Sequence, residues 1–523
     1  MQKLSKRLEE MLEDWKTGFR PGIALSVISE EETIFSRTYG FAALEYNMPV
    51  SRDTQFYLCS LSKQFTAFCV AELIYEGRLN VQDRLLEHFP ELPESVYGEI
   101  KVNHLVHMCS GIHEWYDMLE FSGSYNDEYP WRKTLLSLLA RQESLNFTPG
   151  DKHIYCNTNY TLLTLLIEQT TNKSLAEYAR EQIFAPLGMN STFYNEDNNQ
   201  IIKNIAMGYY RISDHYKRAD MLPPLIGAGG VTSTLADLEI WLKTLINGTW
   251  QPEILEMMLA GDIFNNGDAN EYLFGFVACD IKGRRVIRHG GAVPGFFTSI
   301  CFSPSDKAGF VWLANSNDFK PERVNTGIID ILEETLFHKP EANSQAGNDG
   351  FGEFSGRYID ISTGNVEILK VTGDWLHLAD LELSFLHQRD LNFFTKALKP
   401  DALILENYYG LVILRHITAS KDRLLVKGDA LPETSNLAEY CGKYHSVELN
   451  VDYTISANSL KLYIDAVKKY GGASLIKIAK DIFLSPSEGI KLRFQRNDKG
   501  NISSFYLDCY RSQNFKFRLI NGL

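Results

Sequence analysis

The sequence predicts an α/β sandwich carrying an all-α subdomain, followed by two small all-β domains. Three observations predict it: strand patterns at both ends of the first 340 or so residues, two polar linkers, and a pattern of short strands that recurs after each linker. The chain has 523 residues, which is enough for three or four domains of ordinary size. Its apolar content of 44% and charged content of 23% are typical of a globular protein in water.

The sheet of the first domain is predicted to be assembled from two distant parts of the chain. A long helical region runs from Ser60 to about Phe184 between the two groups of strands, and a further helix is predicted at about 324–337. This order indicates a sandwich with a helical insertion. The predicted strands are 22–29, 33–39, 272–279, 285–289, 297–302 and 309–314.

Two polar stretches divide the rest of the chain. Residues 339–350, "KPEANSQAGNDG", and 427–436, "KGDALPETSN", are rich in the residues that break regular structure. The expected domains are therefore a catalytic-sized domain at 1–338 and two β domains at 351–427 and 437–523.

The two β domains resemble each other in sequence. "EFSGRY" at 353–358 matches "EYCGKY" at 439–444, and 413–426 can be aligned with 491–504 through a shared Leu-Arg pair. Both copies contain short alternating strands and few helices, which predicts two related antiparallel β-barrels or sandwiches. A unit of about 80–90 residues is too long for a solenoid repeat.

Composition excludes several partners. The net charge is −14 and no basic stripe occurs, which disfavours nucleic acid and anionic membrane surfaces. The start of the chain is amphipathic, unlike a signal peptide, so we expect a cytoplasmic protein. The eight cysteines form no CxxC pair and are interpreted as reduced thiols. Cys59 and Cys156 lie beside candidate site residues, where we expect them to pack as small apolar groups.

The stretch "LCSLSKQF" places Ser60 three residues before Lys63, where the helical pattern begins. A lysine one helical turn away can take the proton of a serine hydroxyl, which is otherwise a weak nucleophile. The spacing alone also suits an ordinary pair on a helix surface. A second SxxK, Ser474–Lys477, is predicted to lie on a strand, where these positions face opposite sides, and is interpreted as chance.

Two further motifs add chemistry to the pair. Tyr155-x-Asn157 supplies a phenol that can relay a proton and an amide that can hold the lysine and the substrate. His289-Gly290-Gly291 closes a predicted strand, where His289 offers hydrogen bonding or positive charge and the glycines admit a substrate backbone. Taken singly, Tyr155 fits a half-buried aromatic residue and His289 fits an exposed residue at a strand end.

In this order the three motifs resemble those of the serine β-lactamase and penicillin-binding-protein superfamily, specifically its class-C-like esterase and D-peptidase branch. His-Gly-Gly stands where related enzymes carry Lys-Thr-Gly. The likeness extends over residues 1 to about 338. It is supported by the segments 52–67 "RDTQFYLCSLSKQFTA", 104–112 "HLVHMCSGI", 147–171 "FTPGDKHIYCNTNYTLLTLLIEQTT", 183–194 "IFAPLGMNSTFY" and 227–242 "GAGGVTSTLADLEIWL".

The complete chain resembles the three-domain bacterial D-aminopeptidases, whose last barrel is similar to 440–449 and 491–510. The resemblance implies two lipocalin-like antiparallel β-barrels, with a loop of the second barrel, 465–475, gating the active site. Relatives carry an acidic residue in this loop that meets the substrate ammonium. Here Lys468 and Lys469 occupy the loop, and they should repel an N-terminal amine or attract a carboxylate.

The resemblance also implies a mechanism. Ser60 forms an acyl-enzyme, Lys63 and Tyr155 move the proton, and His289 holds the charge balance. The backbone N–H groups of Ser60 and Ala292 would bind the oxyanion. Asn157, Gly290 and Gly291 would bind substrate, and no metal or organic cofactor is implied. The single HxxH, His104 to His107, lies in a structural segment of the family.

Three functions follow as hypotheses. The first is a D-aminopeptidase or D-amino-acid amidase that releases N-terminal D-residues from peptides, amides or esters. The second is a β-lactamase or carboxylesterase with the same site, and the third is an inactive catalytic domain with a binding role. An α/β-hydrolase is disfavoured because the chain contains no GxSxG. The expected partner is a small peptide, amide, ester or β-lactam substrate, and the oligomeric state stays open, a homodimer included.

Overall fold

The structure, a computed structural model, divides the chain into two compact units. Unit 1 comprises Met1–Ile112, Asp127–Arg132 and Phe147–Ala342, and unit 2 comprises His113–Asn126, Lys133–Asn146 and Asn343–Leu523. The segments His113–Asn126 and Lys133–Asn146, which the sequence analysis assigned to the first domain, thus group with the C-terminal part of the chain. The structure describes residues 2–123, 131–197, 199–219, 226–281, 284–318 and 321–337, the strands within 355–427, and residues 436–459, 461–465, 472–485, 489–509 and 511–520.

Among the residues that the structure describes, four helices exceed twelve residues and the others are shorter. No helix in the described part of the chain is both long and apolar enough to cross a bilayer. In chain order they are α1 Gln2–Met11, α2 Glu13–Lys16, α3 Lys63–Tyr75, α4 Leu85–His88, α5 Glu94–Tyr97, α6 Val102–Val106, α7 Trp115–Phe121, α8 Trp131–Leu139, α9 Asn157–Thr171, α10 Leu175–Ala179, α11 Ala185–Leu187, α12 Leu235–Asn247, α13 Pro252–Leu259 and α14 Pro321–Thr335.

The strands of unit 1 confirm that both ends of the domain build one sheet. Six antiparallel strands are arranged in the order β12-β13-β14-β15-β1-β2, so the first two strands pair with the last. The strands are β1 Ile23–Ser29, β2 Glu32–Tyr39, β3 Phe41–Ala43, β4 Met48–Pro49, β5 Phe56–Tyr57, β6 Phe193–Tyr194, β7 Tyr209–Ile212, β8 His215–Arg218, β9 Val231–Ser233, β10 Asp262–Ile263, β11 Ala269–Asn270, β12 Val277–Ile281, β13 Arg284–Val293, β14 Phe296–Ser303 and β15 Ala308–Ala314.

One predicted strand needs correction. Only the end of the segment 272–279 joins the sheet, because β12 begins at Val277. Tyr272 instead forms an isolated bridge with Val277 across a tight turn at Gly275, whose φ is +72°. An apolar run with three aromatic residues and a glycine suits a strand by pattern, but the glycine adopts a turn conformation here.

The sheet is covered on one face by the two terminal helices of the unit. Leu4, Leu8 and Leu12 from the start of the chain pack with Ile328 and Leu332 of α14 in one buried cluster. The same cluster includes sheet residues such as Phe35 and Trp312. Leu4, Leu8 and Leu12 repeat every four residues, which places them on one face of a helix. The amphipathic start of the chain therefore becomes part of the core.

Two helices of the insertion are buried nearly all round. Helix α3 buries every residue from Lys63 to Leu73, and α9 buries every residue from Asn157 to Ile167. Helices of this kind lie at the centre of a domain. Each begins with a residue of a predicted catalytic motif, so both motifs start from rigid, enclosed elements.

Unit 2 contains two closed, eight-stranded antiparallel barrels, which confirms the predicted barrel fold. The first comprises β16 Gly356–Asp360, β17 Val366–Thr372, β18 Trp375–Leu378, β19 Leu381–Ser384, β20 Asn392–Phe394, β21 Ala402–Tyr408, β22 Leu411–Ile417 and β23 Asp422–Lys427. The second comprises β24 Gly442–Ser446, β25 Val451–Ala457, β26 Leu462–Asp465, β27 Ala473–Ala479, β28 Ile482–Leu484, β29 Lys491–Arg496, β30 Ile502–Asp508 and β31 Phe515–Leu519.

The structure supports one of the two sequence matches between the barrels. The Gly-x-Tyr match falls on the first strand of each barrel, β16 and β24. The alignment of 413–426 with 491–504 is wrong, because it sets the seventh and eighth strands of the first barrel against the sixth and seventh of the second. Any hairpin of alternating residues has a similar pattern, so a shared Leu-Arg pair does not fix the register.

Aromatic side chains fill the second barrel. The fully buried rings of Phe505 and Phe517 stack with centroids 4.7 Å apart, and Phe517 stacks on Tyr453 at 4.6 Å. The Tyr453 hydroxyl donates to the carbonyl of Phe121 at the end of α7, at 2.6 Å. A helix from the first quarter of the chain therefore packs into the aromatic core of this barrel.

Replacing a central ring of the second barrel should destabilise unit 2. We expect Phe505→Ala to lower the free energy of unfolding by about 3–5 kcal/mol, since it leaves a cavity among packed rings. Urea unfolding followed by circular dichroism measures the loss. The control is Tyr463→Ala, whose ring is 38% exposed and should cost less than about 1 kcal/mol. Equal losses for the two variants would contradict the packing described.

Candidate active site

Ser60 lies on a tight turn that enters helix α3. Strand β5 leads into a 3₁₀ turn over Cys59–Ser62, and α3 follows directly. Cys59 has a φ of +55°, a left-handed conformation that is uncommon outside glycine. The Ser62 hydroxyl stabilises the turn by donating to the Cys59 carbonyl at 2.7 Å. This strained turn presents Ser60 half-buried at the start of a buried helix.

Lys63 is fully buried, and its Nζ atom lies within hydrogen-bond distance of oxygen atoms from three different segments. It lies 3.1 Å from Ser60 Oγ, 2.8 Å from Asn157 Oδ1 and 2.7 Å from the carbonyl oxygen of Ala228. The predicted pair therefore has its side chains in contact, and Asn157 holds the lysine as expected. The predicted alternative of an exposed pair on a helix surface is wrong.

The geometry at Nζ gives the amine a defined chemical role. Two of its acceptors, the Asn157 amide oxygen and the Ala228 carbonyl oxygen, can only accept hydrogen bonds. A neutral amine would use its two N–H groups for them, and its lone pair would then point toward Ser60. In that state Lys63 is arranged to accept the proton of the serine hydroxyl.

Ala228 is a site residue that the sequence analysis missed, because a backbone carbonyl has no residue-type signal. Its loop is fixed to α3 by the Thr66 hydroxyl, which donates to the carbonyl of Gly227 at 2.8 Å. Gly227 has a φ of +87°, and a Cβ atom there would lie 1.8 Å from Thr164 Oγ1 on α9. The glycines of "GAGG" therefore allow this close approach, and they were the available signal.

Tyr155 lies beside the lysine. Lys63 Nζ is 4.8 Å from the centroid of the Tyr155 ring, which also lies 6.1 Å from the ring of His289. A phenol next to an amine and near the nucleophile can pass a proton between them. The structure thus brings together Ser60, Lys63, Tyr155 and His289, which come from a stretch of more than 220 residues of the chain.

His289 is buried, with an exposed fraction of 5%, rather than exposed at a strand end. Burial, together with the Lys63 charge, lowers the pKa of His289 to about 3. Its Nδ1 atom lies 2.7 Å from the carbonyl oxygen of Gly290, and its Nε2 atom lies 3.1 Å from the Tyr272 hydroxyl. Of the two predicted roles, hydrogen bonding fits this geometry, whereas positive charge at neutral pH does not.

Tyr272 is the second site residue that sequence reasoning missed. Its hydroxyl contacts His289, its ring stacks on His153 at 5.4 Å, and its carbonyl accepts from His107 Nδ1 at 2.6 Å. His107 therefore has a structural role, as the sequence analysis expected for the HxxH pair. His104 accepts a hydrogen bond from the backbone N–H of Lys101. No group of three or more potential metal ligands occurs among the residues described.

The HxG motif lies on a free stretch of strand β13. Pairing with β12 ends at Arg288, so the residues after it have no neighbour on that edge among the paired strands. A two-residue turn joins Val293, the last residue of β13, to Phe296, the first residue of β14. In a hairpin of this kind these two residues hydrogen-bond to each other. Because hydrogen-bonded positions alternate, the backbone groups of Gly290 and Ala292 point to the free edge.

Gly291 is required for packing against the Ser60 turn. A Cβ atom at this position would lie 2.6 Å from the Leu58 carbonyl oxygen and 2.3 Å from Thr298 Oγ1. At Gly290 the nearest atom would be 3.9 Å away. The two glycines thus differ: Gly291 lets the strand approach the nucleophile turn, while Gly290 faces open space.

The remaining predicted residues fall into place as follows. The Cys59 thiol packs against backbone carbonyls, and burial raises its pKa, so it has a packing role, as does buried Cys156. All eight cysteines lie in the described residues and none forms a disulfide. Ser474 and Lys477 lie on strand β27, as expected for a chance SxxK. Lys468 and Lys469 of the gating loop lie outside the described residues.

Comparison with known proteins gives related sequences and folds. The protein family described as Beta-lactamase matches residues 6–333. A D-aminopeptidase of Brucella anthropi is 26% identical over 522 residues, covering 96% of this chain and 95% of that protein. A solved octameric penicillin-binding protein homologue from Pyrococcus abyssi has a TM-score of 0.55 at 23% identity, over 82% of this chain and 99% of that one. A D-amino acid amidase from Ochrobactrum anthropi SV3 has a TM-score of 0.54 at 22% identity, over 64% and 98% respectively.

The two glycines of the strand edge provide a matched test of the packing. Gly291→Ala forces a methyl group against a backbone carbonyl that cannot rotate away, so we expect a loss of about 1–3 kcal/mol in the free energy of unfolding. Gly290→Ala should change it by less than about 0.5 kcal/mol. Thermal unfolding of both variants measures the difference. A Gly290→Ala variant as unstable as Gly291→Ala would contradict the described orientation of the strand.

The buried histidine predicts a pH dependence of stability. Below its ordinary pKa near 6.5, the unfolded chain binds a proton at His289 that the native chain cannot bind until about pH 3. Stability is therefore lost as the pH falls through this window. Between about pH 7 and pH 5 the wild type should lose about 2 kcal/mol more than His289→Gln. Urea unfolding at both pH values measures this, and parallel losses would show that His289 titrates normally.

Proposed function

The chain belongs to the beta-lactamase family, and we propose that it is a serine hydrolase that forms an acyl-enzyme at Ser60 and releases N-terminal D-residues from peptides, amides or esters. The observation that carries the catalytic part is the contact of Lys63 Nζ with Ser60 Oγ, supported by two further fixed acceptors. Lys63 is buried while Ser60 is half-buried, so the nucleophile rather than the base meets the substrate.

Acylation begins when Ser60 Oγ attacks the carbonyl carbon of the substrate. The hydroxyl proton moves to Lys63 Nζ, and the oxyanion binds the backbone N–H groups of Ser60 and Ala292. The backbone N–H of Ala292 points to the free edge of β13, away from β14, and is therefore not used in the sheet. This leaves it able to donate to an oxyanion. Each donor of this kind contributes about 3 kcal/mol to lowering the barrier. Tyr155 then passes the proton to the leaving amine or alcohol, and the carbonyl–leaving-group bond breaks.

Deacylation reverses these proton movements. A water molecule, activated by the Tyr155 and Lys63 pair, attacks the Ser60 ester and gives up a proton to that pair. The tetrahedral intermediate collapses, Ser60 Oγ recovers a proton, and the acid product leaves. Asn157 keeps Lys63 in place throughout, and Gly290 leaves room for the substrate backbone along the free strand edge.

The substrate class rests on the relatives. The D-aminopeptidase of Brucella anthropi aligns over 96% of this chain, a length that includes both barrels. A match over nearly the full length of both chains, barrels included, favours the D-aminopeptidase activity over the alternatives. Lys468 and Lys469 lie in the loop that should approach the substrate amine, so we expect them to weaken binding of a free ammonium.

β-Lactam or simple ester hydrolysis is the second candidate function. The matching family is described as Beta-lactamase, and the Ser60–Lys63–Tyr155 arrangement acts on any acyl carbonyl that fits beside β13. An inactive domain is disfavoured, because all four motif side chains are present and lie together.

A substrate panel separates these functions. We expect D-alanine p-nitroanilide to be hydrolysed faster than nitrocefin or p-nitrophenyl acetate, and Ser60→Ala to reduce its hydrolysis by at least about a thousandfold. Absorbance follows the release of p-nitroaniline or p-nitrophenol and the opening of the β-lactam ring of nitrocefin. The panel is repeated with Lys468→Ala/Lys469→Ala, which should lower KM for the D-alanine substrate.

The outcomes are distinct. Faster turnover of nitrocefin or of the acetate ester would replace the D-aminopeptidase assignment with that activity. Turnover that survives in Ser60→Ala would contradict the acyl-enzyme itself.

A further inference from the structure

Both ring nitrogens of His289 are already occupied by the protein. The Gly290 carbonyl oxygen can only accept, so Nδ1, at 2.7 Å, carries the hydrogen. In a neutral ring Nε2 is then an acceptor, and the Tyr272 hydroxyl 3.1 Å away is the donor that faces it. The Tyr160 hydroxyl, which donates its own hydrogen to the Val106 carbonyl at 3.1 Å, is a second acceptor for the Tyr272 hydrogen, and we assign that hydrogen to Nε2. With the side chain 5% exposed, His289 has no nitrogen left with which to exchange a proton with substrate.

Tyr272 is fixed on several sides. Its N–H donates to Asn270 Oδ1 at 3.0 Å, its carbonyl accepts from His107 Nδ1 at 2.6 Å, and Asn270 Nδ2 donates to the carbonyl of His107 at 2.9 Å. The two bonds to His107 join the segment around Tyr272 to the end of α6, and the third bond fixes the turn from Asn270 to Tyr272. The ring stacks on that of His153, 20° from parallel, and is 2% exposed. The hydroxyl that meets His289 therefore has a fixed position.

The other end of this chain of hydrogen bonds is the strand edge beside Ser60. The Gly290 carbonyl points to the part of β13 that has no pairing with β12, so no neighbouring strand there fixes its orientation. His289 Nδ1–H supplies that bond instead. Ala292, two residues on, directs its N–H to the same edge. An error in the orientation of the Gly290 peptide would thus be carried to the N–H proposed to bind the oxyanion.

We propose that Tyr272 and His289 are positioning residues: the Tyr272 hydroxyl holds the imidazole as the neutral Nδ1–H tautomer, and the imidazole in turn holds the strand edge that binds the oxyanion. This replaces the role of holding the charge balance, which the sequence analysis gave to His289, with that of a hydrogen-bonded link between Tyr272 and Gly290. The kinetic part of this inference rests on the proposed function, whereas the tautomer does not.

The tautomer is tested in the wild-type protein by nitrogen NMR. With ¹⁵N-labelled histidine, His289 is assigned by its absence from the spectrum of His289→Gln. Near neutral pH we expect one pyrrole-type nitrogen, Nδ1, and one pyridine-type nitrogen, Nε2. A proton on Nε2, or protons on both nitrogens, would overturn the proposal. This measurement needs no substrate, so it stands even if the proposed hydrolysis fails.

The kinetic part is tested with Tyr272→Phe, which removes the donor and little volume. We expect kcat to fall about tenfold, the equivalent of one lost buried hydrogen bond, while KM stays within about twofold. The pyridine-type Nε2 signal should shift at the same time. Protonation of His289 should also become easier, because the bond that favours the neutral ring is gone while Lys63, Tyr155 and Arg288 remain around it. The acid limb of the pH profile of kcat should therefore move to higher pH.

The matched control is Tyr216→Phe. Tyr216 also donates a hydroxyl hydrogen bond, to Asp318, but outside the site. It should keep the wild-type kcat and the His289 spectrum. Wild-type kcat in Tyr272→Phe would overturn the positioning role. If Tyr272→Phe does not fold, the wild-type tautomer decides alone.

Discussion

The hydrogen bond between Lys63 Nζ and Ser60 Oγ is the interaction on which the candidate site depends, because in the proposed mechanism it gives a weak nucleophile a base in direct contact. The amine lies 3.1 Å from the hydroxyl. The amine is buried, and Asn157 Oδ1 and the Ala228 carbonyl oxygen accept hydrogen bonds from it. These two bonds orient the amine, so that its remaining position points toward Ser60. The direction of the base is thus set by groups that cannot themselves give or take a proton.

Three segments converge on that bond, and each is held by a specific device. The strained Cys59 turn presents Ser60, the glycine-rich loop at 227–230 presents a carbonyl, and the buried start of α9 presents Asn157. The free edge of β13 then approaches the Ser60 turn closely enough that only glycine fits at Gly291. Close backbone approach in two places explains why glycine is required around the candidate site.

The sequence predicted the parts of this site that residue type and spacing reveal. Ser60, Lys63, Tyr155, Asn157 and His289 each belong to a short motif, and the two-ended sheet and the pair of barrels follow from alternation and linkers. It could not predict Ala228, which acts through a backbone carbonyl, or Tyr272, one of 26 tyrosines with no motif around it. The neutral state of His289 also depends on burial that only the folded chain provides. The grouping of α7 with the second barrel arises from contacts such as Tyr453 to Phe121, which are more than 300 residues apart and leave no local pattern.

The central claim is that Ser60 becomes covalently acylated, and trapping the adduct tests it most directly. The protein is mixed with a slowly hydrolysed acylating ester or β-lactam, quenched in acid, digested and analysed by peptide mass spectrometry. The account predicts one stoichiometric adduct on the peptide that contains Ser60, and its absence in Ser60→Ala at equal protein concentration. An adduct on another residue, or turnover of the same reagent with Ser60 never modified, would contradict it.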